Sequence, residues 1–232
     1  MIFILKQMKQ VLFIVSLITI ILLGCNSQSK DNEVVNIVES ALVPEEKSRE
    51  LQNFVTDFEP KFDDNDINVV IEIPSGTVAK WEIEKEYGQL DIELIDGKPR
   101  TVNYLGYPGN YGMIPQTLLP KELGGDGDPL DVIVLGSPVE RGSVVKCKLL
   151  GVLKLLDRGE QDDKLIAVRE NTPLYHINDL EDLNANYKGI ADIIQIWFAN
   201  YKGPGKMKSQ GFGDKKEGME ILDRSIAAYK DR

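Results

Sequence analysis

From Ile67 onward the chain alternates apolar and polar positions. Ile67, Val69, Ile71 and Ile73 are separated by residues that include Asn68 and Glu72, the period of two expected of a half-buried strand. Pro74-Ser75-Gly76 marks a turn, and AKWEIEKE then repeats the alternation, with Trp81 and Ile83 pointing one way and Lys80, Glu82 and Glu84 the other. A third run, QLDIELI, ends at Asp96-Gly97, a hairpin signal. Further strands are predicted at 131–135, 144–156 and 164–169. Residues 101–125, rich in Tyr, Gly, Pro and Asn, read as one long loop, and loops of that length inside domains are usually functional. Helical spacing comes late: Ile190, Ile193, Ile194, Trp197, Phe198 and Tyr201 form one face, and Met219, Leu222, Ile226 and Tyr229 another. Strands first and helices afterwards predict a mainly β fold, a small barrel with flanking helices, rather than strand–helix units wound around a parallel sheet.

The first residues follow a different pattern. Lys6 and Lys9 precede a thirteen-residue apolar run, VLFIVSLITIILL, that ends at Gly24-Cys25 and is too short to span a bilayer comfortably. A charged start, a short apolar core and a small residue before the cut describe a secretory signal peptide over residues 1–24. Leu22-Leu23-Gly24-Cys25 also resembles a bacterial lipobox, after whose cleavage Cys25 carries lipid; an uncleaved anchor helix is the alternative. Either reading puts the remainder outside the cytoplasm and at a membrane. Residues 25–60, which open on the polar NSQSKDNEVV, read as a tether and N-terminal extension, with a short helix packing on the domain expected within 36–60, and residues 61–232 read as one globular domain.

Composition supports that division and narrows the chemistry. A chain of 232 residues, 42% hydrophobic and 28% charged, has room for one substantial core. With Cys25 lipidated, Cys147 has no partner, so no disulfide framework is expected, and Cys147 in VVKCKLLGVLKLL reads as a small strand residue. Removing residues 1–24 takes away two lysines and no acid, which moves the formal charge from −10 to −12 and opposes a nucleic-acid partner. A protein this acidic needs metal ions to reverse the local sign wherever it handles an anion.

Residues 124–136, GGDGDPLDVIVLG, set Asp126, Asp128 and Asp131 within six positions of one another. Like charges that close repel by several kcal/mol at about 4 Å where water is partly excluded, so a cation is expected between them. On extended backbone Asp126 and Asp128 face the same side, Asp131 opens the following strand, and glycines at 124, 125 and 127 permit close approach of a ligand. An EF-hand fails, because its fifth and twelfth positions would be Leu130 and Ser137. A solvated acidic turn is the alternative. A second cluster, LLDRGEQDDKLIAV, places Asp157, Asp162 and Lys164 in a hairpin-like connection between apolar strands. Two clusters of hard oxygen ligands without Cys or His favour Mg²⁺ or Mn²⁺ over zinc. The lone His176 has no metal-site context and reads as structural or surface. Lys80, Arg100 and Lys202, with Tyr104, Tyr107, Tyr111 and Tyr201, supply the donors that phosphoryl chemistry requires beside such metals.

GDGDPLDVIVLG resembles the D-x-D-P-x-D signature of the soluble family I inorganic pyrophosphatases. The similarity continues through VVIEIPSGTVAKWEIEKE, PRTVNYLGYPGNYGMIPQT, KCKLLGVLKLLDRGEQDDKLIAV and WFANYKG, in the family's order over roughly residues 67–210. It implies a five-stranded barrel of the OB type, Mg²⁺ dependence and hydrolysis of pyrophosphate to two phosphates. By motif, Asp126, Asp131 and Asp162 match the ligands of the tighter metal pair, with Asp131 bridging, while Glu72 and Asp157, with Asp162 again, match residues around the substrate-associated metals. Asp128 matches the general base; Lys80, Arg100, Tyr111, Tyr201 and Lys202 match groups that hold the phosphates; Glu82, Tyr107 and Lys164 match supporting active-site positions. Arg158 departs from the family, which often has an acid there, and so does the lipoprotein-type leader. A catalytically inactive phosphate- or metal-binding lipoprotein on the same barrel is the competing reading. Relatives form different assemblies, so a homo-oligomer is left open.

Overall fold

The computed structural model describes residues 52–63, 66–119, 125 and 127–232. The expected leader, Cys25 and most of the tether lie outside the described residues, as does Asp126. No helix among the described residues is long and apolar enough to cross a membrane.

The architecture is mainly β with a few helices, as the pattern predicted. A seven-stranded sheet carries the fold. Its strands are β1 (Asp66–Ile73), β6 (Asn110–Met113), β7 (Asp131–Leu135), β8 (Val144–Asp157), β9 (Glu160–Gln161), β10 (Lys164–Arg169) and β11 (Met207–Gly213). Two small hairpins, β2 (Trp81–Glu84) with β3 (Gln89–Ile92) and β4 (Leu94–Ile95) with β5 (Lys98–Pro99), lie between β1 and β6 in the chain. The helices are α1 (Leu180–Asn186), α2 (Ile190–Asn200) and α3 (Lys215–Lys230). β1 pairs with β6, β6 with β7, β7 with β10, β10 with β8, and β8 again with β1. β8 is long enough to pair successively with β1, β10, β11 and β9.

Strand composition explains why both faces of this sheet are covered. In β7, Ile133 and Leu135 join a cluster closed by Trp197 and Phe198 of α2, while Val132 and Val134 join a second cluster closed by Ile221 and Leu222 of α3. β10 divides in the same way, Ile166 and Val168 against Leu165 and Ala167. β1 therefore differs from the half-buried strand expected: Val70 is as buried as Val69 and Ile71, because Val55, Ile83 and Met113 cover it in a third cluster. Val55 belongs to a turn segment, not a helix, within the stretch assigned to the tether. Gly112 lets β6 approach β1 closely, since a Cβ there would meet the Val70 carbonyl at 1.9 Å.

Three further departures have local causes. The long loop at 101–125 contains β6, whose sequence NYGM is too short and too Gly-containing to register as a strand by periodicity. QLDIELI is two strands, divided at Glu93, whose amide turns to the Lys80 carbonyl at 2.9 Å; the Asp96-Gly97 hairpin follows with both residues at positive φ, 51° and 72°. Ile193 leaves the expected helical face and is exposed, while Ala191, Ile194, Trp197 and Phe198 make the buried stripe of α2.

Ile166 is fully buried at the centre of the sheet. Ile166→Ala is expected to cost about 2–5 kcal/mol, read as a lower urea midpoint at unchanged slope; an unchanged midpoint would mean that this strand is not part of the cooperative core.

Candidate active site

One cleft of about 260 Å³ gathers most of the residues singled out in the sequence. Glu72, Lys80, Glu82, Arg100, Tyr111, Asp128, Asp131, Asp162, Lys164, Tyr201 and Lys202 all line it. Their convergence is a consequence of strand register. Parallel pairing of β10 with β7 sets Leu165 beside Val132, so the preceding residues, Lys164 and Asp131, meet at the strand starts. On the other side, Met113 of β6 lies opposite both Asp131 and Val70. The β1–β6 register slips between Ile71 and Ile73, and the bulged residue is Glu72; a bulge of this kind re-aims one side chain, and here a carboxyl enters the cleft from an otherwise apolar strand.

Asp128 follows a bend at Gly127, whose φ of 85° breaks the extended geometry expected between it and Asp126. The close approach expected at the neighbouring glycines is, at Gly125, an approach of the chain to itself: a Cβ there would meet the Leu119 carbonyl at 2.3 Å.

At the cleft floor the Lys164 ammonium, 2% exposed, lies 2.5 Å from a carboxylate oxygen of both Asp131 and Asp162. Burial alone would lower its pKa, but the two carboxylates outweigh burial and raise it. Burial would likewise raise Asp131; the Lys164 charge and hydrogen bond, the Tyr111 hydroxyl and Lys80 reverse that and hold Asp131 below the usual carboxylate range. Asp162 goes the other way, raised by burial and by Asp131, with Lys164 and Lys202 offsetting only part. Of this pair, Asp162 takes a proton first. Glu72 is pushed up to about 7, chiefly by burial and further by Asp131, although Lys80 and the Ile83 amide, which donates to it at 2.8 Å, pull it down.

The cationic side is as ordered. Arg100 donates twice to Glu93 at 2.6 and 2.7 Å, Lys80 lies 3.6 Å from Glu82 and 5.5 Å above the Tyr111 ring, and Lys202 donates to Asp157 at 2.7 Å. Asp157 itself is not part of the cleft lining; it acts on the cleft through Lys202. Tyr107 also stands behind the wall, 5.3 Å from the Tyr111 ring and 4.6 Å from Trp197. Trp197 stacks on Tyr201 at 4.6 Å and 12° and anchors its own indole N–H to the Leu105 carbonyl at 2.9 Å, which fixes the Tyr201 hydroxyl. Sequence reasoning missed Glu93, the partner of Arg100, and Lys85, which lines the cleft and pairs with Asp128. Opposite charge seven residues from Arg100 was the only available signal for Glu93.

The donor set fits a divalent cation. Asp131, Asp162 and Glu72 are hard oxygen donors in one cleft, and Asp157 keeps a buried carboxylate oxygen, Oδ1, without a hydrogen-bond partner. Among the described residues no three of them already form a cage, since Lys164 holds the space between Asp131 and Asp162.

Comparisons with known proteins show the family. Residues 69–230 match the family described as inorganic pyrophosphatase. The chain is 40% identical over 174 residues to an inorganic pyrophosphatase of Ralstonia nicotianae, covering 72% of this chain and 92% of that protein. It aligns with the solved structure of the Helicobacter pylori inorganic pyrophosphatase at TM-score 0.64 and 35% identity, over 75% of this chain and 99% of that one. A recombinant inorganic pyrophosphatase from T brucei brucei superposes at TM-score 0.72 and 28% identity; 76% of this chain is covered, and it spans 60% of that longer chain.

The Glu72 shift has a definite sign for stability. Its folded pKa lies near 7, above the 4.5 of the unfolded chain, so its stabilising protonation is complete below about pH 4.5 and lost as pH rises towards 7. In chelator, the wild type is expected to lose up to roughly 3 kcal/mol across that window that Glu72→Gln does not lose. Parallel melting-temperature profiles for the two proteins would show that Glu72 ionises normally.

Proposed function

Because this chain belongs to the inorganic pyrophosphatase family, we propose that its cleft hydrolyses inorganic pyrophosphate to two phosphates with Mg²⁺ as the resident cofactor, Mn²⁺ being able to replace it. The observation that carries the reading is the opposition of two groups in one cleft: Glu72, Asp131 and Asp162 beside Lys80, Arg100 and Lys202. The pairing of β1 with both β6 and β8 supports reading β1, β6, β7, β10 and β8 as the OB-type barrel expected of the family.

Asp131 and Asp162, with Asp126, Glu72 and Asp157, would hold the metal ions, which when bound offset the substrate's negative charge and acidify water. The chain's own residues do the remainder. Lys80, Arg100 and Lys202 exchange their acidic partners for the phosphate oxygens, and the Tyr111 and Tyr201 hydroxyls donate to the same oxygens. Burial raises the pKa of both tyrosines, so they stay protonated donors at neutral pH. Asp128 takes a proton from the attacking water as its oxygen bonds to one phosphorus; the bridging P–O bond breaks, and its electron pair leaves with the second phosphate. Lys164 limits repulsion between Asp131 and Asp162, and Glu82 and Tyr107 support the walls.

Phosphate release from pyrophosphate with and without Mg²⁺ tests the activity. Asp131→Asn is expected to abolish turnover and weaken Mg²⁺ binding, whereas Asp128→Asn should lower the rate on the order of 10²-fold or more with Mg²⁺ binding retained. Equal losses of Mg²⁺ affinity in both variants would remove the separate role given to Asp128.

The setting is a further part of the proposal. Lys6, Lys9, the apolar run and the Leu22-Leu23-Gly24-Cys25 boundary support an extracytoplasmic domain anchored to a bacterial membrane by lipid on Cys25. A Cys25→Ala chain is expected to lose incorporation of labelled fatty acid and to keep its leader; recovery of an unmodified wild type from the cytosol would reject the anchor.

A further inference from the structure

Alternation along AKWEIEKEYG puts Lys85 on the side of Trp81 and Ile83, away from Lys80, Glu82 and Glu84. The structure brings it into the cleft lining, together with Ile83 from that side. β2 ends at Glu84, residues 85–88 form a turn closed by the Gly88 amide on the Glu84 carbonyl at 2.6 Å, and Glu84 and Lys85 both line the cleft. This turn is fixed from outside by the segment at 52–54. The Phe54 amide donates to the Gly88 carbonyl at 2.8 Å, the Asn53 side chain to the Tyr87 carbonyl at 3.4 Å, and Gln89 reaches the Gln52 carbonyl at 2.8 Å. Gly88, at φ 65°, is packed so closely that a Cβ would lie 1.9 Å from the Asn53 amide oxygen.

From this rigid turn the Lys85 ammonium pairs with the carboxylate of Asp128. Asp128 sits on the bend at Gly127 with its side chain 45% exposed, so burial in the core does not hold its carboxylate. We propose that Lys85 is a positioning residue for pyrophosphate hydrolysis: its ammonium holds the Asp128 carboxylate at the cleft mouth in the orientation from which it takes the proton of the attacking water. This rests on the pyrophosphatase reading above. Both partners are substantially exposed, 59% and 45%, and an exposed ion pair contributes little to folding. Orientation of the base, by contrast, acts directly on the chemical step.

The test is a steady-state comparison of the full chain with Lys85→Ala, Lys85→Arg, Asp128→Asn and the Lys85→Ala/Asp128→Asn double variant, with pyrophosphate as substrate. Lys85→Ala is expected to lower kcat on the order of tenfold, with KM within about twofold and the melting temperature unchanged. Lys85→Arg, which keeps a cation able to pair with the carboxylate, should restore most of kcat. Without the carboxylate, removing Lys85 should cost nothing more, so the double variant should match Asp128→Asn. An unchanged kcat, a rise in KM at constant kcat, or losses that multiply in the double variant each overturn the inference. Wild-type turnover with any of these results rejects the role of Lys85 alone, whereas no phosphate release by the wild type rejects the pyrophosphatase reading and this role with it.

Discussion

The Lys164 ammonium, shut between Asp131 and Asp162 at 2.5 Å from each, is the interaction on which the rest of the cleft depends. Two charged carboxylates at one buried point repel strongly unless a cation lies between them, and burial works against a lysine's charge unless acids stand beside it. The fold meets both conditions with one device, the parallel pairing of β7 and β10, which starts one strand with the acid and the other with the base. Everything else at the floor takes its place from that pair: Tyr111 donates to Asp131 from β6, Lys202 stands 4.0 Å from Asp162, and the Glu72 bulge faces them across the cleft.

The cleft's cations share a second property. Lys80, Lys85, Arg100, Lys164 and Lys202 each have a carboxylate partner, in a chain whose formal charge is −10. An anion entering the cleft therefore replaces existing ion pairs instead of meeting bare charge. The displaced carboxylates are then available to cations, and the negative surplus favours divalent ones. An anion and a cation would be coupled through the same side chains: whatever draws Lys202 away frees Asp157.

How much of this could be read in advance depended on whether a residue's position followed local periodicity. Glu82 was legible because β2 keeps its alternation, Lys80 because it immediately precedes that strand, and Asp131 and Lys164 because each opens an apolar strand. The chemistry of the remaining set was carried by family motifs more than by spacing. What escaped was set by interruptions in regular structure. Lys85 faces the cleft because β2 stops one residue earlier, Glu72 enters through a register slip, and β6 owes its place to Gly112 lying against Val70. β11 went unseen because MKSQGFG alternates weakly and bulges between Ser209 and Gly211. Such features depend on what a neighbouring strand does, and period-based reading follows one segment at a time.

The β1–β8 pairing, which sets Asp66 opposite Lys148, carries a kinetic consequence. β6 can pair with β7, and β1 with β6, once the chain between them has folded back, but the β1–β8 pairing must bring Asp66 to Lys148, 82 residues further on, and closing so large a loop is slow. During synthesis, an emerging chain that has released β1, β2, β6 and β7 already exposes Glu72, Lys80, Arg100 and Asp131, yet it holds none of β8, β10 or α2 to organise them. Asp162, Lys164 and Lys202 arrive last. The cleft floor is thus completed late, after the long strand β8 has formed, and until Lys164 arrives the Asp131 carboxylate stands without it.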